Sequence, residues 1–273
     1  MTYILIDIGG TKTRVAASSD LSKFDEPAII DTPHEYADAM SAIVAAAKDV
    51  AKGEMIAMVA VGLPVLLSHD MKTIAYATNL PAWEGHTFPD DLEKALGARI
   101  VIENDTALVG LGEAVYGAGA GAGVVMYLTV STGVNAARIV GQKIDHENHG
   151  ISTGRQYVSM GEEPQPWESL ISGIAIQKKY GMHPKELGKD WPAWEELARI
   201  TAFGVHNTMV HWSPERIVFG GSMFNEIGIS VERVRFHLES IRTGYPAIPE
   251  VVHSKLESLG GLWGGLARLK QKS

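Results

Sequence analysis

The stretch Asp7-Ile8-Gly9-Gly10-Thr11-Lys12-Thr13-Arg14 decides the fold. The apolar residues 3–8 that lead into it read as a buried strand and residues 13–17 as a returning one, with Gly9-Gly10-Thr11 as the turn. Two glycines in a turn leave backbone N–H groups uncovered, Thr11 adds a hydroxyl donor and Lys12 a positive charge. Such a set suits phosphate oxygens, as oriented backbone donors do in a phosphate nest. Asp7, at the strand end, suits a Mg2+ ion held through water. An ordinary hairpin, which Gly-Gly also favours, is the competing reading. The segment is no P-loop: Thr11 precedes Lys12, and a strand rather than a helix follows.

The second half opens as the first does. Val124–Val130 runs into Ser131-Thr132-Gly133, and Val134–Val140 returns. Two such hairpins begin two halves of similar size, a repeated supersecondary unit. Between them, residues 117–123 alternate Gly and Ala. A dinucleotide fingerprint follows a strand and opens a helix, whereas this run follows a helix and precedes a strand, so it reads as a connector. Helical spacing marks residues 36–52 (closed by Gly53), 89–96 (closed by Gly97), 106–116, 167–180, 194–209 and 259–269. Strands are expected at 55–61, 99–103 and 216–219, with an irregular stretch up to Pro33. The pattern is α/β with mixed sheets.

Composition narrows the function. The 273 residues carry a net charge of −8, which argues against nucleic-acid binding because phosphates call for clustered positive charge. Absent cysteine removes disulfides, thiolate nucleophiles and cysteine-based zinc sites. Glycine numbers 29, where average use of about 7% would give roughly 19, so the excess is expected at tight turns and close approaches. No basic n-region precedes the first apolar run, and no window is long and apolar enough for a membrane span. A cytoplasmic protein with no membrane partner is expected.

Glu103-Asn104-Asp105-Thr106 lies where a strand ends and a helix starts. A carboxylate there can take a proton from a bound hydroxyl, as phosphoryl transfer to an alcohol requires, and an adjacent Asn can bond neighbouring hydroxyls. Helix capping is the competing use of Asp105.

Residues 7–14, Asn104-Asp105 followed by Gly112-Glu113, residues 131–137 and Phe219-Gly220-Gly221-Ser222 together resemble the ROK sugar kinases, in the same order and at comparable separations. The resemblance covers essentially the whole chain. It implies the two-lobed, actin-like (ribonuclease-H-like) α/β fold with a central cleft for ATP and sugar. Residues 1–116 would form the sugar and phosphate lobe and 117–273 the nucleotide lobe, with the final helix, about 259–273, packing back on the first. No helix-turn-helix precedes Tyr3, so the kinase branch is expected rather than the repressors. By similarity, Asp7 would assist Mg2+, Gly9, Gly10, Thr11 and Lys12 would meet the ATP phosphates, and Ser131, Thr132 and Gly133 would form a second phosphate loop. Gly220 and Gly221 would approach the adenosine. Asp105 would be the general base, with Asn79, Asn104 and Glu168 on the sugar. The family further implies a homodimer.

Departures from the family pattern bear on specificity. Residues 161–166 are too short for the family's cysteine-rich zinc loop, so no zinc is expected. Ser152 and Arg155 stand where the family has a Glu and a His that contact the sugar. Arg155 is read either as facing the sugar, favouring an anionic one, or as an ion-pair partner of Glu168. His146 and His149 read as a polar loop. Val65 replaces a usual glycine and would narrow the sugar side, while Asn135 replaces another and tolerates turn geometry. The rival to a kinase is a sugar or nucleotide sensor that keeps the fold without phosphorylation.

Overall fold

The computed structural model describes residues 1–145, 152–159, 163–224, 227–244 and 246–273. The elements up to residue 116 are β1 (Thr2–Ile8), β2 (Lys12–Ser18), β3 (Ala28–Asp31), α1 (Tyr36–Ala51), β4 (Ile56–Leu63), β5 (Leu66–Leu67), β6 (Ile74–Tyr76), α2 (Phe88–Leu96), β7 (Arg99–Asn104) and α3 (Asp105–Tyr116). Then follow β8 (Val124–Val130), β9 (Val134–Val140), β10 (Lys143–Ile144), β11 (Tyr157–Ser159), β12 (Gln165–Pro166), α4 (Glu168–Ile171), α5 (Gly173–Tyr180) and α6 (Ala193–Trp212). The chain ends with β13 (Arg216–Gly220), α7 (Val231–Ile241), β14 (Glu250–His253) and α8 (Gly260–Lys272). They divide into two units: Met1–Tyr116 with Ile144–Gly150 and Ser258–Ser273, and Gly117–Lys143 with Ile151–Glu257.

In the first unit the sheet order is β3-β2-β1-β4-β7. β1 runs antiparallel to β2 and parallel to β4, which runs parallel to β7. Strand β1 is central and covered on both faces, which is why its sequence is a nearly unbroken apolar run. Ile4, Ile6 and Ile8 join Ala39, Ile43 and Ala47 of α1. Leu5 and Ala60 instead meet Leu262, Leu266 and Leu269 of α8. Asp7 shares the Leu5 face by strand alternation, so the one acid in β1 lies on the side that α8 covers. Helix α8 also crosses α3 at very short range. A Cβ on Gly264 would fall 1.7 Å from the Leu108 carbonyl oxygen, and one on Gly112 2.5 Å from that of Gly260.

The second unit repeats the plan with the order β10-β9-β8-β13-β14. β8 pairs antiparallel with β9 and parallel with β13, which is parallel to β14. Its core joins Met126, Leu128 and Val130 to Trp167, Leu197, Val205 and Met209. No described helix is long and apolar enough to cross a membrane.

Three local readings are corrected, and one region the sequence left unread is filled. Residues 167–180 form two helices, because Ser172 is extended and its Oγ accepts the Ala175 N–H at 3.1 Å to start α5. Lys52, in the left-handed region at φ 52°, closes α1, and Gly53 follows it. The stretch before Pro33 contains β3, and the polar 227–253 region contains α7 and β14.

Gly264→Ala is expected to lower the stability of the protein by about 3 kcal/mol through overpacking against α3. The measurement is a urea titration, in which the midpoint should fall without change of slope.

Candidate active site

Three parallel strands of the first unit deliver Asp7, Gly62 and Glu103 side by side, since Asp7 pairs with Gly62 and Gly62 with Glu103. These are the carboxyl ends of β1, β4 and β7, where open α/β sheets place ligands. Glycine at 62 leaves room between two acids: a Cβ there would stand 3.4 Å from Asp7 Oδ1 and 3.6 Å from Asp105 Cα. Burial, then the neighbouring Asp105 carboxylate, hold Asp7 up at about 7, while Arg14 pulls it down. Burial also raises Asp105, against hydrogen bonds from Thr106 that lower it. Asn104 Oδ1 accepts the N–H of Thr106 at 3.1 Å and of Ala107 at 3.4 Å, so Asn104 caps α3. Asp105 Oδ1 shares the Thr106 N–H at 2.7 Å.

The first glycine turn lies in the same unit. Gly9 N–H bonds back to Lys12 O at 2.9 Å, and among the described residues the amides of Gly10 and Thr11 have no acceptor. Asn79 rests on this turn, its Cβ only 3.1 Å from where a Cβ on Gly10 would be. Thr11 is exposed, and Lys12 turns to β3, where its Nζ lies 2.5 Å from Asp31 Oδ1.

The second unit builds its turn in the same way. Ser131 N–H bonds to Gly133 O at 2.9 Å, and among the described residues Thr132 and Gly133 keep free amides. The segment after Trp167 clamps the turn: Glu168 Oε2 accepts the Val134 N–H at 2.8 Å, and Gly173 N–H donates to Ser131 O at 2.7 Å. Gly221, at φ 92°, passes beneath it, where a Cβ would fall 2.4 Å from Val130 O. Gly220 lies against the Tyr127 ring. The single turn Thr153–Arg155 is tied on through Thr153 N–H to Asn135 Oδ1 at 3.2 Å, and Arg155 at its end is exposed. Ser152 and Thr153 line a cavity of about 500 Å³ with Asn207, Thr208, His211 and Trp212.

With this geometry in hand, the comparisons decide the family. The ROK family model matches residues 3–272. The chain belongs to the ROK family. It is similar to a glucokinase of Streptomyces coelicolor, 21% identical over 300 residues that cover 95% of this chain and 94% of the relative. A fructokinase of Zymomonas mobilis is 30% identical over 200 residues, covering 67% and 65%. Among solved structures, a ROK family glucokinase from Streptomyces griseus in complex with glucose and AMPPNP superposes with a TM-score of 0.81 at 23% identity, over 100% of both chains. The fold is therefore the two-lobed, actin-like α/β fold of the ROK kinases.

Several ROK positions acquire a physical account. Asn135, where the family has glycine, spends its amide oxygen on Thr153 and so anchors the Ser152–Arg155 segment. Val65 is buried in the first unit's core among Leu63, Ile74 and Leu80. His146, His149, Gly150, Gly161 and Glu162 lie outside the described residues. Sequence reading missed the part played by α8. A Cβ on Gly261 would come within 2.4 Å of the Asp7 carboxyl carbon, and Arg268 pairs with Glu103. The doublets Gly260-Gly261 and Gly264-Gly265 were the available signal.

Among the described residues no three His, Asp or Glu side chains converge as a metal cluster. Asp7 nonetheless fits a Mg2+ ion, which takes one or two carboxylates and fills the rest with water and phosphate oxygens. The disfavoured negative charge of Asp7, set beside that of Asp105, is what such a cation relieves.

The folded value of about 7 for Asp7 exceeds its ordinary 3.8, so the folded protein binds the extra proton between them and loses stability as pH rises through that window. Asp7→Asn removes this titration. Melting curves in EDTA should show variant and wild type nearly matched at about pH 4 and the variant melting higher at about pH 8. A gap independent of pH would refute the burial of this charge.

Proposed function

We propose that the chain is an ATP- and Mg2+-dependent kinase of a sugar hydroxyl, with Asp105 as its general base. The observation that carries this is the state of Asp105. It opens α3 at the carboxyl end of β7, its affinity for protons is raised by burial, and the cap of the helix is supplied by Asn104. The glucokinase and fructokinase relatives support a sugar as acceptor, and the AMPPNP complex of the Streptomyces griseus enzyme supports ATP as donor.

In this reading Asp105 takes the proton of the sugar hydroxyl as its oxygen forms a bond to the γ-phosphorus and the bond to the β-phosphate oxygen breaks. The products are a sugar phosphate and ADP, and Asp105 then releases its proton to water. Asn79, Asn104 and Glu168 orient the sugar, while the amides of Gly10, Thr11, Thr132 and Gly133 and the hydroxyls of Thr11, Ser131 and Thr132 meet phosphate oxygens. Gly9 shapes the first turn, and Lys12 joins these donors on leaving Asp31. Gly220 and Gly221 approach the adenosine. Asp7 would assist Mg2+ through water, and the ion would supply charge neutralisation at the phosphates. Arg155, held by the Asn135 anchor, favours a sugar carrying an anionic group.

Asp105→Ala should cut sugar-stimulated ADP release by about 10²–10⁴-fold while circular dichroism and melting stay close to wild type. A panel of neutral hexoses, amino sugars and sugar acids tests the acceptor. Plain glucose as the best substrate removes the role of Arg155, and nucleotide binding with no sugar-stimulated release by the wild type removes the kinase in favour of a sensor. Glu168→Ala separates two duties of one carboxylate. If the hold on Val134 dominates, the KM for ATP rises roughly tenfold, the worth of one hydrogen bond to a charged group, with the sugar KM unchanged. A rise in the sugar KM alone would return Glu168 to the sugar.

A further inference from the structure

Arg268 and Glu103 form an ion pair inside the first unit, 4% and 5% exposed. Arg268 Nε donates to Glu103 Oε1 at 2.7 Å, and Nη2 lies 2.6 Å from the same oxygen. Glu103 stands in the register row of Asp7 and Gly62, and one strand residue, Asn104, separates it from Asp105. Helix α3 begins at Asp105 with no connecting loop, so the end of β7 and Asp105 are joined directly. A buried ion pair is a poor way to gain stability, since apolar residues of similar volume serve as well or better. What it does supply is direction: the guanidinium fork fixes where the Glu103 carboxylate sits, and it neutralises a further acid beside Asp7 and Asp105. The other end of α8 places Gly261 against the Asp7 carboxyl.

We propose that Arg268 is a positioning residue for Asp105, acting through Glu103, so that the terminal helix sets the geometry of the acid that takes the hydroxyl proton. This rests on the reading of Asp105 as the base.

The test compares wild type, Arg268→Met, Arg268→Lys, the double variant Glu103→Leu/Arg268→Leu and Asp105→Ala. ADP release is followed with glucose and with fructose, well below the melting temperature of every variant. Arg268→Met should lose about 10–100-fold in kcat, the scale of a small misplacement, with the sugar KM held within about twofold. Arg268→Lys should recover part of the loss. The double variant should melt near wild type yet keep the low kcat. Wild-type kcat in Arg268→Met, or joint recovery of melting and kcat in the double variant, overturns the proposal. Hydrogen exchange at Thr106 and Ala107, whose amides bond to Asn104, gives a readout free of turnover. It should quicken in Arg268→Met and stay quick in the double variant, and unchanged exchange overturns the proposal even if neither sugar is accepted. Full activity in Asp105→Ala would defeat the base reading separately, leaving the exchange result to judge the positioning.

Discussion

A helix can lie flat on a sheet that carries a buried carboxylate only where it offers no side chain to collide with it. Helix α8 meets that constraint with Gly261 over Asp7, and with Gly265 over Leu5 and Ala60. Gly260 and Gly264 let the same helix sink onto α3. Each helix-interior glycine costs about 1 kcal/mol of helix propensity, so packing must supply what propensity withholds. Leu262, Leu266 and Leu269, all fully buried, supply it. The two starting points of the site, the end of β1 and the start of α3, thus take their spacing from the last helix of the chain.

Three acids at the ends of β1 and β7 and the start of α3 are treated unequally, and the inequality is informative. Glu103 receives a guanidinium, whereas burial raises Asp7 and Asp105 toward neutrality. A protein built only for stability would compensate all three or bury none. Leaving two carboxyls in a setting that disfavours their charge raises the proton affinity of both. Structural economy does not explain that choice.

The legible part of the sequence was the part written locally. Apolar strands running into Gly9-Gly10-Thr11 and Ser131-Thr132-Gly133 announce hairpins, because strand alternation and turn chemistry sit within a dozen residues. The choice between Asn104 and Asp105 as the helix cap was not legible, since both side chains suit the position and only the geometry assigns it to Asn104. Helix α7 has a polar face rich in Arg, Glu and His, and β14 is only four residues with two half-buried valines between exposed ends, so neither carries a strong periodic signal. The break at Ser172 depends on an extended backbone angle that a continuous apolar spacing conceals. Least legible was α8, because what a glycine makes room for is decided by residues more than a hundred positions away.

The repetition of the two sheets extends to individual amides, and there it gains functional meaning. In each hairpin the first turn residue closes a hydrogen bond across the turn, Gly9 to Lys12 and Ser131 to Gly133. In each, the next two amides are left without an acceptor among the described residues. Two adjacent N–H groups free of structural duty are costly in a turn unless a ligand or water takes them, which is the requirement of a phosphate nest. The supports differ: Asn79 rests on the first turn, while Glu168, Gly173 and Gly221 lock the second. Glu168 is tied to Val134 on the strand side of the second turn. That bond stiffens the loop and leaves the Thr132 and Gly133 amides without an acceptor among the described residues.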